Sequence, residues 1–205
     1  MAVLAPERKI LADGFGGKSP GAGKSLGRLN DLTVDKKGNV YFNGGGTFHL
    51  DAKGQVRSIG ENIRTNGIML SRDEKTLYVT NGGVLVAFDI QPNGRVGNQR
   101  EFGKLEAGGN GDGMAIDAEG RLYVTSGPGV QVFSPEGKYL GVIPTPRSVI
   151  SAAFSGPGKK TLYVVGAGAL GPDGQEFRTP EGVRNNAKTI YRIPMLAQGF
   201  KGRAK

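Results

Sequence analysis

The sequence predicts an all-β chain, a β-propeller with about four blades, and three observations carry that prediction. Glycine and proline together fill 47 of 205 positions, about twice their average share, and they separate short apolar bursts as turns separate strands. Four segments of the chain resemble one another at a spacing typical of propeller blades. No stretch sustains the helical period of apolar residues.

The repeat defines the elements in order. NDLTVDKKGNVYF (30–42), NGIMLSRDEKTLYVT (66–80), DGMAIDAEGRLYVT (112–125) and SAAFSGPGKKTLYVV (151–165) each read as two strands around a polar turn. The first strand ends at Val34, Leu70, Ile116 or Phe154, and the second centres on Tyr41, Tyr78, Tyr123 or Tyr163. The repeats follow at 36, 46 and 38 residues, the length of a four-stranded blade. Lys37-Gly38, Asp73-Glu74 and Glu119-Gly120 suit the tight turns between the strands. Third and fourth strands follow in TFHLDAKGQVRS (47–58), GVLVAFDIQPNGRV (83–96) and GVQVFSPEGKYLGVI (129–143), which alternate with period two around DAKG, QPNG and SPEG. In the last repeat the third strand, TIYRI (189–193), comes after a loop over 166–188. ERKILA (7–12) reads as the outer strand of a preceding blade. The length fits a single, partial propeller domain over 1–205.

Composition removes several chemistries. With no cysteine there is no disulfide framework, thiol nucleophile or sulfur-bound zinc, and one histidine, His49, leaves no His-cluster metal site. His49 alternates with apolar neighbours on a strand, where a packing or surface role is expected, and Met69 and Met114 read as core. No apolar run approaches the 18 residues of a membrane span, so no membrane partner is expected. MAVLAPERK lacks the apolar stretch of a secretory signal, which leaves the compartment open. The net charge is +9, but six basic residues and no acid lie between Arg184 and Lys205. That tail has little aromatic interleaving for base stacking, so no specific nucleic acid is expected. GAGKS (21–25) lacks the first glycine and the helix of a phosphate-binding loop. GAGALG (166–171) runs into Gly171-Pro172-Asp173-Gly174, where a dinucleotide fold needs a helix.

The chemistry concentrates where the first strands begin. Innermost propeller strands line one channel, so their equivalent ends converge. There the sequence carries Asn30-Asp31, Asn66-Gly67 and Asp112-Gly113, with Ser151 interrupting the series in the fourth repeat. Amide and carboxylate oxygens suit a hard divalent cation. The same residues also turn a chain into a strand, and the pattern alone leaves both readings open.

GRLNDLTVDKKGNVYF, TNGIMLSRDEKTLYVTN, GDGMAIDAEGRLYVTSGPGVQVFSPEGKYLGVIPTP and the ending KTIYRIPMLAQG resemble the gluconolactonase/regucalcin family, the senescence-marker-protein lactonases. The resemblance implies a six-bladed propeller that opens small-molecule lactones with one divalent cation, Ca²⁺ foremost and Zn²⁺, Mg²⁺ or Mn²⁺ as alternatives. It implies Asn66 and Asp112 as metal ligands, Asp112 also as the base that activates water, and Arg28 and Asn30 as substrate contacts. The family's further ligand, a glutamate in an E-G-P-x-W-like motif, has no counterpart in a chain without tryptophan. Glu7, Glu61 and Glu181 are not replacements by motif. On this resemblance the chain begins near the end of the second blade. Its open sheet edges then suggest homo-oligomer formation. The alternative to a lactone hydrolase is a non-catalytic propeller fragment or binding module that keeps the scaffold.

Overall fold

Tyr41, Tyr78 and Tyr123 each lie on the second strand of a four-stranded antiparallel sheet, and Tyr163 on the second strand of a three-stranded one. These sheets are four successive blades of a β-propeller, as the repeat predicts. The structure, a computed structural model, describes residues 2–3, 7, 9–16, 23–169, 171–175, 180–181 and 188–202. Much of the loop after Tyr163 and part of the basic tail, including Arg184, Arg203 and Lys205, lie outside the described residues. The only helical segment among the described residues is a 3-10 turn, Pro157–Lys159.

The chain divides into two compact units, Met1–Phe102 and Gly103–Lys205. In the first unit, β1 (Ala2–Val3) pairs with β2 (Lys9–Ile10). Blade 1 follows as β3 (Leu32–Val34), β4 (Val40–Asn43), β5 (Thr47–Leu50) and β6 (Val56–Ile59), paired in that order. Blade 2 is β7 (Thr65–Leu70), β8 (Thr76–Asn81), β9 (Val84–Ile90) and β10 (Val96–Lys104). In the second unit, blade 3 is β11 (Met114–Ile116), β12 (Leu122–Ser126), β13 (Gly129–Phe133) and β14 (Tyr139–Pro144). Blade 4 is β15 (Val149–Ser155), β16 (Thr161–Gly166) and β17 (Thr189–Pro194).

The recurring Asp-turn-Tyr pattern has a direct physical cause. In blade 1 the buried Asp35 accepts hydrogen bonds from the Lys37 and Asn39 amides at 2.9 and 2.8 Å, from Asn39 Nδ2 at 2.7 Å and from the Tyr41 hydroxyl at 3.3 Å. In blade 3 Asp117 takes the Glu119 and Arg121 amides, both at 2.9 Å, Arg121 Nε at 2.6 Å and the Tyr123 hydroxyl at 3.1 Å. One carboxylate therefore closes the turn and ties it to the next strand, which favours Asp at its first position. Burial, reinforced by that carboxylate, holds both phenols above their ordinary pKa. Blade 2 does the same job with a neutral group, Ser71 Oγ, which accepts the Thr76 amide at 3.0 Å.

Period-two alternation puts one face of each sheet into a core. In the first unit Tyr41, Ile68, Leu70, Leu77, Val79 and Phe88 form one cluster where blades 1 and 2 meet. The other face of blade 1, with Val40, Phe42, Phe48 and Leu50, packs against Ala12 and Leu26 of the preceding segment. Leu32 pairs with Phe42 and Val34 with Val40 on that same face, yet both stay exposed, at 46% and 39%. In the second unit Tyr123 meets Phe154 edge-on, with centroids 4.9 Å apart, inside a cluster with Val130, Ala152, Leu162 and Val164. Met69 and Met114 are buried as expected. His49 is buried too and takes the packing role, its ring stacked on Tyr41 at 4.9 Å.

Candidate functional site: the first-strand starts

Asn30, Asn66 and Asp112 fall at one place in the blade repeat, two residues before the regular ladder of the first strand. The side chain two positions beyond the blade tyrosine fixes that place in three blades. In blade 1 this residue is Asn43, fully buried, whose Oδ1 accepts the Asp31 amide at 2.9 Å and whose Nδ2 donates to the Asn66 carbonyl of blade 2. In blade 2 it is Thr80, whose Oγ1 accepts the Gly67 amide at 2.6 Å. In blade 3 it is Thr125, whose Oγ1 donates to the Gly113 carbonyl at 2.8 Å. In blade 4 the corresponding residue is Val165, opposite Ser151, and no such side-chain clamp can form. The residue equivalent to Asn30, Asn66 and Asp112 in blade 4 is thus Ile150, with Ser151 one place further on.

In the first unit these clamps bring the two asparagines together. Asn30 Nδ2 donates to Asn66 Oδ1, which spends one of that oxygen's two acceptor positions. Asn66 and Gly67 occupy an irregularity in β7, where the register with β8 shifts between Thr65 and Ile68. Bulges of this kind re-aim side chains and are common beside functional sites. Asp31 cross-links the blades: its Oδ1 accepts the Leu32 amide at 2.9 Å and its Oδ2 the Ile68 amide of blade 2 at 3.1 Å. Arg28 is exposed on the loop leading to Asn30. That loop runs close against Gly44–Gly46, with the Gly45 amide bonded to the Leu26 carbonyl at 2.8 Å. Gly27 has φ +69° there, and a Cβ on it would lie 2.5 Å from the Gly45 nitrogen, so the approach requires glycine.

In the second unit Asp112 is half-buried, with its amide bonded to the Thr125 carbonyl at 2.9 Å. The next residue, Gly113, donates its amide to the Ile150 carbonyl of blade 4 at 3.0 Å. A Cβ on Gly113 would lie 2.9 Å from Ser151 Oγ and 3.0 Å from that carbonyl oxygen. Blade 4 thus takes part through its backbone, and Gly113 keeps the space for it.

Sequence reasoning missed Asn43, Thr80 and Thr125, although each stands two residues after a repeat tyrosine and was visible in that register. It also missed Arg64. Arg28-x-Asn30 recurs 36 residues later as Arg64-x-Asn66, with the Arg64 amide held by Asn81 Oδ1 at 2.8 Å. Neither arginine forms a salt bridge among the described residues. The donors at these positions are amide and carboxylate oxygens, the kind a hard divalent cation takes. Among the described residues no group of three histidine, aspartate or glutamate side chains could hold a metal ion.

The profile of the SMP-30/Gluconolactonase/LRE-like region matches residues 16–168. The chain belongs to this family. Pentonolactonase XacC of Haloferax volcanii is 29% identical, over 84% of this chain and 64% of its own length. The gluconolactonase of Zymomonas mobilis is 28% identical, over 77% of this chain and 51% of its own. Regucalcins are among the other relatives. A gluconolactonase from Xanthomonas campestris, known as a solved structure, superposes with a TM-score of 0.66 at 26% identity, covering 78% of this chain and 59% of that one. The family chain thus spans between about half and just under two thirds of the length of these relatives.

Proposed function

We propose that this family member contributes to a lactone hydrolase that opens a cyclic ester with water to give the hydroxy acid. The observation that carries the reading is the repeated clamp, which presents Asn30, Asn66 and Asp112 from the same position of three consecutive blades. Asn66 Oδ1, with one acceptor position left, and the Asp112 carboxylate are the oxygens proposed to hold a hard divalent cation such as Ca²⁺, Mg²⁺ or Mn²⁺. Such an ion, when bound, polarises the lactone carbonyl. Asp112 is the proposed base that takes a proton from water. Asn30, held against Asn66, and Arg28 orient the oxygens of the lactone, and Arg64 stands in the equivalent position one blade on.

The donor set agrees with a hard cation in kind and falls short in number. Asn66 is neutral and Asp112 carries one charge, and affinity at such sites follows ligand charge and rigidity. Weak cation binding and low lactonase activity are therefore expected of the isolated chain. The same shortage, with Ile150 in the fourth blade, favours the second reading, a binding module that keeps the scaffold without turnover. Calcium and zinc titrations followed by thermal shift, with δ-gluconolactone hydrolysis in a pH-stat, separate the two. A cation-dependent rate lost in Asp112→Asn supports the hydrolase. A shift with no turnover supports the binding module, and neither signal in an intact fold overturns the assignment of these residues.

A further inference from the structure

The first unit carries a cleft away from the strand starts, between the β5–β6 hairpin of blade 1 and the β9–β10 turn of blade 2. Two adjoining lobes of about 490 and 420 Å³ share His49, Arg57, Asn93 and Gly94 as walls, within the usual size for small-molecule sites. Lys37, Lys53, Arg57 and Arg95 line them, against Asp51 as the one acid. That acid is already engaged: Asp51 pairs with Arg57 at 3.2 Å and accepts the Lys53 and Gln55 amides at 3.0 and 2.9 Å.

His49 supplies a second, independent observation. It is 3% exposed, yet its Nε2 is buried without a hydrogen-bond partner among the described residues. Buried polar atoms are paired in the great majority of cases, and an exception calls for an explanation such as a missing ligand. Burial, with the Arg57 charge adding to it, lowers the imidazole pKa against the opposing Asp51 and Asp35 carboxylates.

We propose that this cleft binds the phosphoryl group of a phosphorylated small molecule, held by Arg57, Arg95, Lys37 and Lys53 with His49 in its wall. The charge balance favours phosphate over carboxylate. Beyond the Arg57–Asp51 pair three cations, Lys37, Lys53 and Arg95, line the cleft, and a phosphate ester brings close to two negative charges with three acceptor oxygens where a carboxylate brings one charge. The guanidinium fork of Arg95 matches that geometry, while Arg57 gives its terminal nitrogens to Asp51 and Gln55 and adds its charge.

His49 is the only histidine in the chain, so its imidazole resonances give one unambiguous signal from the cleft wall. The intact chain, ¹⁵N-labelled, is titrated with pyrophosphate, glucose 6-phosphate and potassium gluconate at one ionic strength. Saturable His49 shifts with the two phosphates and none with gluconate are expected. Arg57→Ala and Arg95→Ala, both at exposed positions, should each weaken binding about tenfold, and Asp112→Asn should leave it unchanged. No saturable shift, an equal response to gluconate, or indifference to both arginine variants overturns the proposal. Loss of the shift in Asp112→Asn would also overturn it, by assigning the anion to the lactonase site.

Discussion

Replacing Asn43 tests whether the clamp positions the site or merely fills space. Asn43 is fully buried and serves two backbone groups, accepting the Asp31 amide and donating to the Asn66 carbonyl. Asn43→Ala leaves both without a partner in a position closed to water. An orphaned buried donor or acceptor costs about 1–3 kcal/mol, so the pair predicts a loss of about 2–4 kcal/mol after some relaxation. Asn43→Asp separates the contributions. It preserves shape and the acceptor for the Asp31 amide, but it turns an oxygen toward the Asn66 carbonyl and adds a charge beside the Asp31 carboxylate. Asn43→Asp should therefore be at least as destabilising as Asn43→Ala at neutral pH, and it should recover on acidification as the new carboxyl protonates. Equilibrium urea unfolding followed by far-ultraviolet circular dichroism measures all three chains, with no tryptophan signal needed. A near-isosteric Asn43→Asp as stable as the parent, or an Asn43→Ala loss below about 1 kcal/mol, would refute the reasoning. Unchanged cation response in a folded Asn43→Ala would further show that Asn66 needs no such support.

Other expectations follow from single contacts. Gly113→Ala places a Cβ 2.9 Å from Ser151 Oγ and 3.0 Å from the Ile150 carbonyl oxygen, and overpacking of this kind costs about 1–3 kcal/mol, readable as a lowered urea midpoint. Removing Asp117 takes away a buried carboxylate that accepts four hydrogen bonds, so Asp117→Ala should cost about 3–5 kcal/mol. Glu119→Ala, which loses only an exposed pairing with Arg121, should cost under about 0.5 kcal/mol. The lowered pKa of His49 means the unfolded chain binds its proton more readily. Stability is then full above the unfolded value near 6.5 and falls as pH drops below it toward the folded value. His49→Phe should flatten that slope, and melting temperatures across pH 4 to 7 with an undiminished slope in the variant would contradict it. The carboxylates with lowered pKa, Asp51, Asp73 and Asp89, lose their contribution below about pH 5, so the slopes are compared above that pH.

The blades were legible because each one is written locally. Tyr41, Tyr78, Tyr123 and Tyr163 mark second strands at nearly regular spacing, and Asp35 and Asp117 close their turns through bonds to residues two to six positions away. Alternation over a few residues suffices to say which side chains face a core. The site was legible only in part. Asn30, Asn66 and Asp112 stand out at repeat-equivalent positions, but the side chains that fix them carry no local signature as clamps. Asn43 reaches a carbonyl 23 residues away and Asp31 an amide 37 residues away. Those partners are chosen by the packing of one blade on the next. Blade 4 makes the same point in reverse, since only its register shows Ile150 where the other blades carry an amide or carboxylate, and Val165 where they carry a clamp. His49 is the extreme case. The sequence places it on a strand among apolar neighbours, while its stacking on Tyr41, its unpartnered Nε2 and its place in a basic cleft depend on side chains from both blades of the first unit. Hydrogen bonds and charge contacts are decided within tenths of an ångström across segments far apart in the chain. Strand periodicity carries no information at that scale, and only the packed blades supply it.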